Sequence, residues 1–369
     1  MSQFLQFNLP ESLQRALTVL KFETPTPIQL KAIPLGLDGK DLIGTAQTGT
    51  GKTAAFSIPT AVKLLKNPNA TALFLAPTRE LAQQIELFWR NLTKFNPELR
   101  SACIIGGAAY GPQFKALARK PRLIIATPGR LVDHLNQKSI HLSNTAVLVL
   151  DEADRMLDMG FAPQLNQIAR FIPKLKQTFL FSATWQQSLD SLSKKYLVNP
   201  VRISVGQISK AADTVEQTLI QTTTVKKNET LLDEINLRKG SILVFTRTKI
   251  RTDRLARYLD SYGLNVGRLH GGRTQKQRNT ALSMFRAGAT RVLVATDVAA
   301  RGIDVNDIAH VINYDLPQQA EDYVHRIGRT GRAGLTGKAV SLVTPEDRGK
   351  WKDISFHLKR TGSVLPRMN

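Results

Sequence analysis

The sequence predicts an α/β fold built as two tandem domains, each with a parallel sheet, facing each other across an interdomain cleft. Its 369 residues are long for one compact domain and comfortable for two. Short apolar runs recur in two series, and Val205–Val215 (VGQISKAADTV), without any apolar period, separates them. The first series is Thr71–Ala76 (TALFLA), Arg122–Ala126 (RLIIA), Ala146–Leu150 (AVLVL) and Thr178–Ser182 (TFLFS). The second is Ser241–Thr246 (SILVFT), Arg291–Ala295 (RVLVA), Ala309–Tyr314 (AHVINY) and Lys338–Val343 (KAVSLV). Continuous hydrophobicity of this length marks strands buried on both faces, as in parallel sheets covered by helices. Helix-like segments such as Glu80–Trp89 and Thr252–Tyr262 alternate with them, which argues for α/β domains. The expected domains are 1–206 and 214–365, joined by a linker at 207–213.

Composition narrows the function classes. No apolar run reaches the length of a membrane span, and MSQFLQFNLPESLQ lacks a secretory pattern. Cys103 is the single cysteine, which excludes an internal disulfide and fits a reducing, cytoplasmic compartment; its expected role is a small buried hydrophobe. Lys and Arg total 51 against 29 acids, a net charge of +22, with +12 in residues 1–210 and +10 in 211–369. Because both halves are basic, a polyanion touching both is the natural partner, although a merely solubilising surface has the same composition.

The motifs separate those readings. Ala46–Thr53 (AQTGTGKT) follows the strand-like DLIG and fits a phosphate-binding loop, with Ala46 in place of the leading glycine. Gly49 and Gly51 let backbone amides curl round an anion, flanked by Gln47, Thr48 and Thr50. Lys52 can reach β and γ phosphates, and the Thr53 hydroxyl can join a magnesium shell. Val147–Asp154 (VLVLDEAD) delivers Asp151 and Glu152 to a strand end. Asp151 suits the hard Mg2+ ion, and Glu152 suits activation of an attacking water.

AQTGTGKT, DEAD at 151–154, SAT at 182–184 and HRIGRTGR at 325–332 together resemble the DEAD-box RNA helicase family, from Phe4 to about residue 345. The resemblance implies two RecA-like domains that bind ATP and single-stranded RNA and locally separate short duplexes while hydrolysing ATP. FETPTPIQ at 22–29 matches the family's glutamine motif, with Gln29 reading adenine, Phe22 stacking on it and Phe4 as the separate upstream aromatic. Lys21 stands where a glycine is common in the family. Arg329 and Arg332 resemble arginine fingers, His325, Ser182 and Thr184 the coupling between domains, and Asp304 a ribose contact. Gln275 and Arg278 match a further bridging segment.

The implied RNA contacts of the first domain are Pro77, Thr78, Arg79, Gly106, Gly107, Thr127, Gly129 and Arg130. Those of the second are Thr246, Arg247, His270, Gly271, Thr296 and Arg301. Small, hydroxyl and Arg residues at strand ends contact phosphate and sugar, and 2′-OH contacts distinguish RNA from DNA. A monomer is expected, similar to compact bacterial members, with ribosome assembly and RNA decay among the fitting partners. Two other classes fit parts of the pattern: an ATP-gated RNA clamp with little net unwinding, and a DNA-directed translocase.

Overall fold

The computed structural model describes residues 3–46, 49–174, 176–182, 187–205, 215–300, 308–331, 337–360 and 363–368. The linker and six expected site residues, Gln47, Thr48, Thr184, Arg301, Asp304 and Arg332, lie outside them. Two compact units emerge, Met1–Gly206 and Gln207–Asn369.

The first unit holds a parallel seven-stranded sheet. Its strands are β1 (Leu42–Thr45), β2 (Thr71–Leu75), β3 (Ser101–Ile104), β4 (Leu123–Ala126), β5 (Thr145–Leu150), β6 (Gln177–Ser182) and β7 (Val201–Ser204), in the order β3-β4-β2-β5-β6-β1-β7. In the second unit β8 (Val215–Gln221), β9 (Ile242–Thr246), β10 (Val266–Leu269), β11 (Val292–Thr296), β12 (His310–Asn313), β13 (Gly337–Val343) and β14 (Arg367–Met368) form a second parallel sheet, ordered β10-β11-β9-β12-β13-β8-β14. Matched position by position, β1 corresponds to β8, β2 to β9, β3 to β10, β4 to β11 and β5 to β12.

Period-two alternation within the buried strands feeds a core on each sheet face. Phe74, Val147, Val149, Phe179 and Phe181 join one cluster, and Leu73, Leu75, Leu148, Leu150 and Leu180 the opposite one. In the second unit Leu243, Phe245, Leu293 and Ala295 face one way, and Ile242, Val244, Val292 and Val294 the other. Three of the strands that the sequence does not reveal lie at sheet edges. β3 (SACI) and β7 (VRIS) are edge strands, as is β10 (VGRL), and their short, half-exposed sequences carry little apolar signal. Cys103 lies half-buried on β3, where burial and then Glu86 push its thiol far above the ordinary value. Among the described residues no helix is long and apolar enough to cross a membrane.

Each unit is braced by an arginine at one place. Arg122, just before β4, donates to the carbonyls of Ala70, Leu64 and Asn67 at 2.7 to 2.9 Å. Arg291, just before β11, donates to those of Gly240, Ile235 and Arg238. One guanidinium thereby ties the C-terminal end of the helix before β2 or β9, and the turn that follows it, to the start of β4 or β11.

Candidate functional site

The loop after β1 enters the helix Lys52–Lys66 through Gly51 at φ 90°. A side chain at Gly51 would collide with the Gln29 amide, so the approach requires glycine. Gln29 is buried; its Oε1 accepts from the Thr26 amide at 2.9 Å and its Nε2 donates to the Gly51 carbonyl at 3.1 Å. It ties the helix Pro27–Leu37 to the loop while each polar atom of its amide retains one further hydrogen-bonding position. Phe22 is half-buried, and the fully packed Phe4 meets it edge-on with centroids 5.6 Å apart. Thr53 stands half-buried in the first helical turn.

Lys52 is buried and donates to the Ala46 carbonyl at 2.9 Å. Asp151 lies directly beyond β5, held through its amide by the Leu75 carbonyl at 3.0 Å. Burial pushes the Asp151 carboxyl up to about 6, with Lys52 pulling it down and Glu152 adding to the rise. Glu152 adopts φ 52° and ψ 52°, a left-handed conformation uncommon for its size, and its carboxylate pairs with Arg155 one turn along. Such strain is retained where the surroundings over-determine a geometry, and it concentrates at functional sites.

The expected RNA residues of the first unit converge from scattered segments. Pro77 is buried, and Thr78 caps the helix Arg79–Leu92 by accepting from the Leu81 amide at 3.3 Å. The Arg79 guanidinium lies so close to Gly107, at φ 70°, that a Cβ there would collide with it. The Gly106 amide donates to Thr127 Oγ1 at 3.3 Å. Arg130 donates to the Ala108 carbonyl at 2.9 Å and lies over the Tyr110 ring at 4.0 Å. Gly129 opens the helix Pro128–Asn136 with no side chain near it.

The second unit uses the matching strand ends: Arg247 beyond β9, His270 and Gly271 beyond β10, and Thr296 closing β11. Thr246 is fully buried with its hydroxyl 2.7 Å from that of Thr252. His270 Nδ1 accepts from the Gly272 amide at 3.2 Å, leaving Nε2 to face Asp253 at 3.2 Å. Gln275 and Arg278 are buried on the helix Gln275–Arg286. Arg329 follows the helix Ala320–Ile327 and donates to the His325 carbonyl at 3.3 Å. Ser182 ends β6, fully buried.

Both departures from the family pattern have local readings. Lys21 takes φ 57°, the conformation that favours glycine, whereas Ala46 needs no positive φ. Family models match in two stretches, DEAD/DEAH box helicase over residues 26–192 and helicase conserved C-terminal domain over 226–334. The DEAD-box ATP-dependent RNA helicase CshA of Bacillus subtilis is 43% identical over 97% of this chain and 72% of its own. The ATP-dependent rRNA helicase RRP3 of Candida glabrata is 47% identical over 93% of this chain and 70% of its own. The chain belongs to the DEAD-box family of ATP-dependent RNA helicases. Solved structures agree: S. cerevisiae Dbp5 bound to RNA and ADP BeF3 matches with TM-score 0.88 and 32% identity, over 100% of this chain and 96% of that one. Mss116p bound to ssRNA and AMP-PNP matches with TM-score 0.88 and 28% identity, over 99% and 78%.

Three residues beside the expected site residues, Arg326, Arg155 and Tyr110, do not stand out in the sequence. Arg326 is buried and clamps Asp297 with bonds of 2.5 and 2.6 Å, while also donating to Asn313 at 3.1 Å. It lies inside HRIGRTGR, so the signal was present but its partner was not. Arg155 stands three residues after Glu152, a spacing that brings helical side chains together. Tyr110 carried no motif signal; only the fold brings it under Arg130.

Proposed function

We propose that residues 1–206 form the ATP-binding domain, and that single-stranded RNA runs along the strand ends of both units. The observation that carries this is the convergence of Gly51, Lys52, Gln29 and the buried Asp151–Glu152 turn beyond β1 and β5. Gln29 and Phe22 would receive adenine, with Phe4 supporting Phe22. The loop residues Gln47 to Thr53 would cradle the phosphates, and Asp304 would contact the ribose.

A divalent cation fits this donor set. Asp151 is a buried carboxylate whose charged form Lys52 already favours, and Thr53 supplies a hydroxyl. Mg2+ would be held by Asp151 and Thr53 together with substrate phosphates and water, the donor set such sites use. When bound, Mg2+ neutralises phosphate charge. Glu152, held by Arg155, accepts the proton of the attacking water.

Thr246 has its hydroxyl engaged inside the fold, so the RNA role of that turn falls to Arg247. With Arg79, Gly106, Gly107, Thr127, Gly129, Arg130, His270, Gly271, Thr296 and Arg301 it would grip phosphate and sugar. ATP and RNA together would favour closure of the units, bringing Arg329 and Arg332 to the γ-phosphate and bending the RNA so that short duplexes lose pairing. Ser182, Thr184, His325, Gln275 and Arg278 would couple the units. A cytoplasmic monomer working in ribosome assembly or RNA decay fits this reading, and no observation singles out a clamp. ATP hydrolysis to ADP and phosphate is measured with single-stranded RNA, single-stranded DNA and no polymer. RNA alone should stimulate it, and equal stimulation by DNA overturns the RNA reading.

A further inference from the structure

The second unit contains a counterpart of the Lys52–Asp151 pair. Lys227 opens the helix after β8 as Lys52 opens the helix after β1. Asp315, beyond β12, is held through its amide by the Phe245 carbonyl of β9, just as Asp151 beyond β5 is held by Leu75 of β2. Lys227 Nζ and the Asp315 carboxylate are 3.8 Å apart, both buried. Yet Thr222–Lys226 (TTTVK) precedes Lys227 with no glycine to curl round a phosphate.

Other groups close round the pair instead. Asp347 meets Lys227 at 3.3 Å and Arg247 at 3.7 Å, and accepts from the Thr344 hydroxyl at 3.0 Å. Asp315 accepts from the Arg247 backbone amide at 2.9 Å and from Arg251 Nη1 at 2.9 Å. Three cations therefore share two carboxylates, leaving one positive charge in excess. Lys227 is shut in, so that charge reaches solvent through Arg247 and Arg251, which are 33% and 40% exposed. Arg247 Nε is buried without a hydrogen-bond partner among the described residues.

We infer that Asp315, with Asp347 and Lys227, is a positioning residue for RNA: it holds the Arg247 turn so that an RNA phosphate supplies the missing negative charge. The inference rests on the reading of Arg247 as an RNA contact. The place that serves nucleotide phosphate in the first unit serves, in the second, the phosphate of the polymer. The direction of the effect is diagnostic. Removing a carboxylate beside two arginines would tighten phosphate binding if only bulk charge mattered. In Asp315→Asn, however, one oxygen becomes an NH2 that faces either Arg251 and Lys227 or the Arg247 amide, donor against donor, so the carboxylate no longer holds the Arg247 turn and its arginines together.

Binding of a ten-nucleotide single-stranded RNA, in the presence of a non-hydrolysable ATP analogue, is measured together with RNA-stimulated ATPase. The variants are Asp315→Asn, Arg247→Ala and the double variant. Asp315→Asn and Arg247→Ala should each raise the RNA concentration for half-maximal ATPase about tenfold, the effect of one charge-assisted hydrogen bond. Asp315→Asn should leave kcat at saturating RNA unaltered, and the double variant should be no worse than the single ones. Unchanged or tighter RNA binding in Asp315→Asn, or effects that multiply in the double variant, overturns the positioning role. No effect of Arg247→Ala overturns the reading of Arg247 itself. Should Asp315→Asn fail to fold, Asp347→Asn, which leaves the backbone bond in place, enters the same cycle with the same criteria.

Discussion

After β1 the first unit places AQTGTGKT; after β8 the second places TTTVK. Beyond β5 stand Asp151 and Glu152; beyond β12 stand Asp315 and Leu316, the latter fully buried. Sheet order, helix-bracing arginine and Lys–Asp pair are shared between the units, while the glycine cradle and the second carboxylate are confined to the first. The contrast teaches that the shared features belong to the architecture. The chemistry enters through a few loop residues that only one copy carries.

The largest expected effect tests whether the second unit contributes to hydrolysis at all. Replacing Arg329 and Arg332 with Ala should leave ATP binding nearly normal and reduce RNA-stimulated hydrolysis by roughly 10³-fold or more, as for other arginine fingers. Fluorophores on the two units should also report little RNA-induced approach by energy transfer. Normal stimulated ATPase in this variant would mean the second unit serves RNA alone.

Glu152→Gln removes the feature that Leu316 shows the second unit never had. It keeps the side-chain shape and should lower single-turnover hydrolysis by roughly 10²- to 10⁴-fold while nucleotide still binds. Near-normal turnover would transfer the catalytic role elsewhere and erase the main difference between the units.

The bracing arginines sharpen the comparison from the side of stability. Arg122→Ala and Arg291→Ala should each destabilise their own unit by about 1–3 kcal/mol, because helix-end carbonyls lose a charged donor. Thermal unfolding followed by hydrogen exchange assigns each loss; if either change destabilises both units equally, the units are not independent in folding. The smallest effect concerns Lys21, which has φ 57°. Relief of left-handed strain, partly offset by the entropy of an added glycine, should make Lys21→Gly about 0.5 kcal/mol more stable in the first unit alone. A lower melting temperature would show that the Lys21 side chain is needed where it stands.

Much of this protein is determined by local sequence. Apolar runs such as AVLVL and SILVFT are long and continuous because both strand faces are buried, so the α/β class follows from hydrophobicity alone. AQTGTGKT and DEAD are equally legible, since a phosphate cradle needs glycine, lysine and hydroxyl at adjacent positions. The edge strands were not, because half-exposed residues blunt the period. Nor were Lys227 and Asp315: they lie 88 residues apart, and each alone looks like a solvated charge. Only the stacking of β8, β13, β12 and β9 brings them together. Burial then turns a lysine and an aspartate into a pair that must be compensated, because a charge removed from water needs partners within a few ångströms.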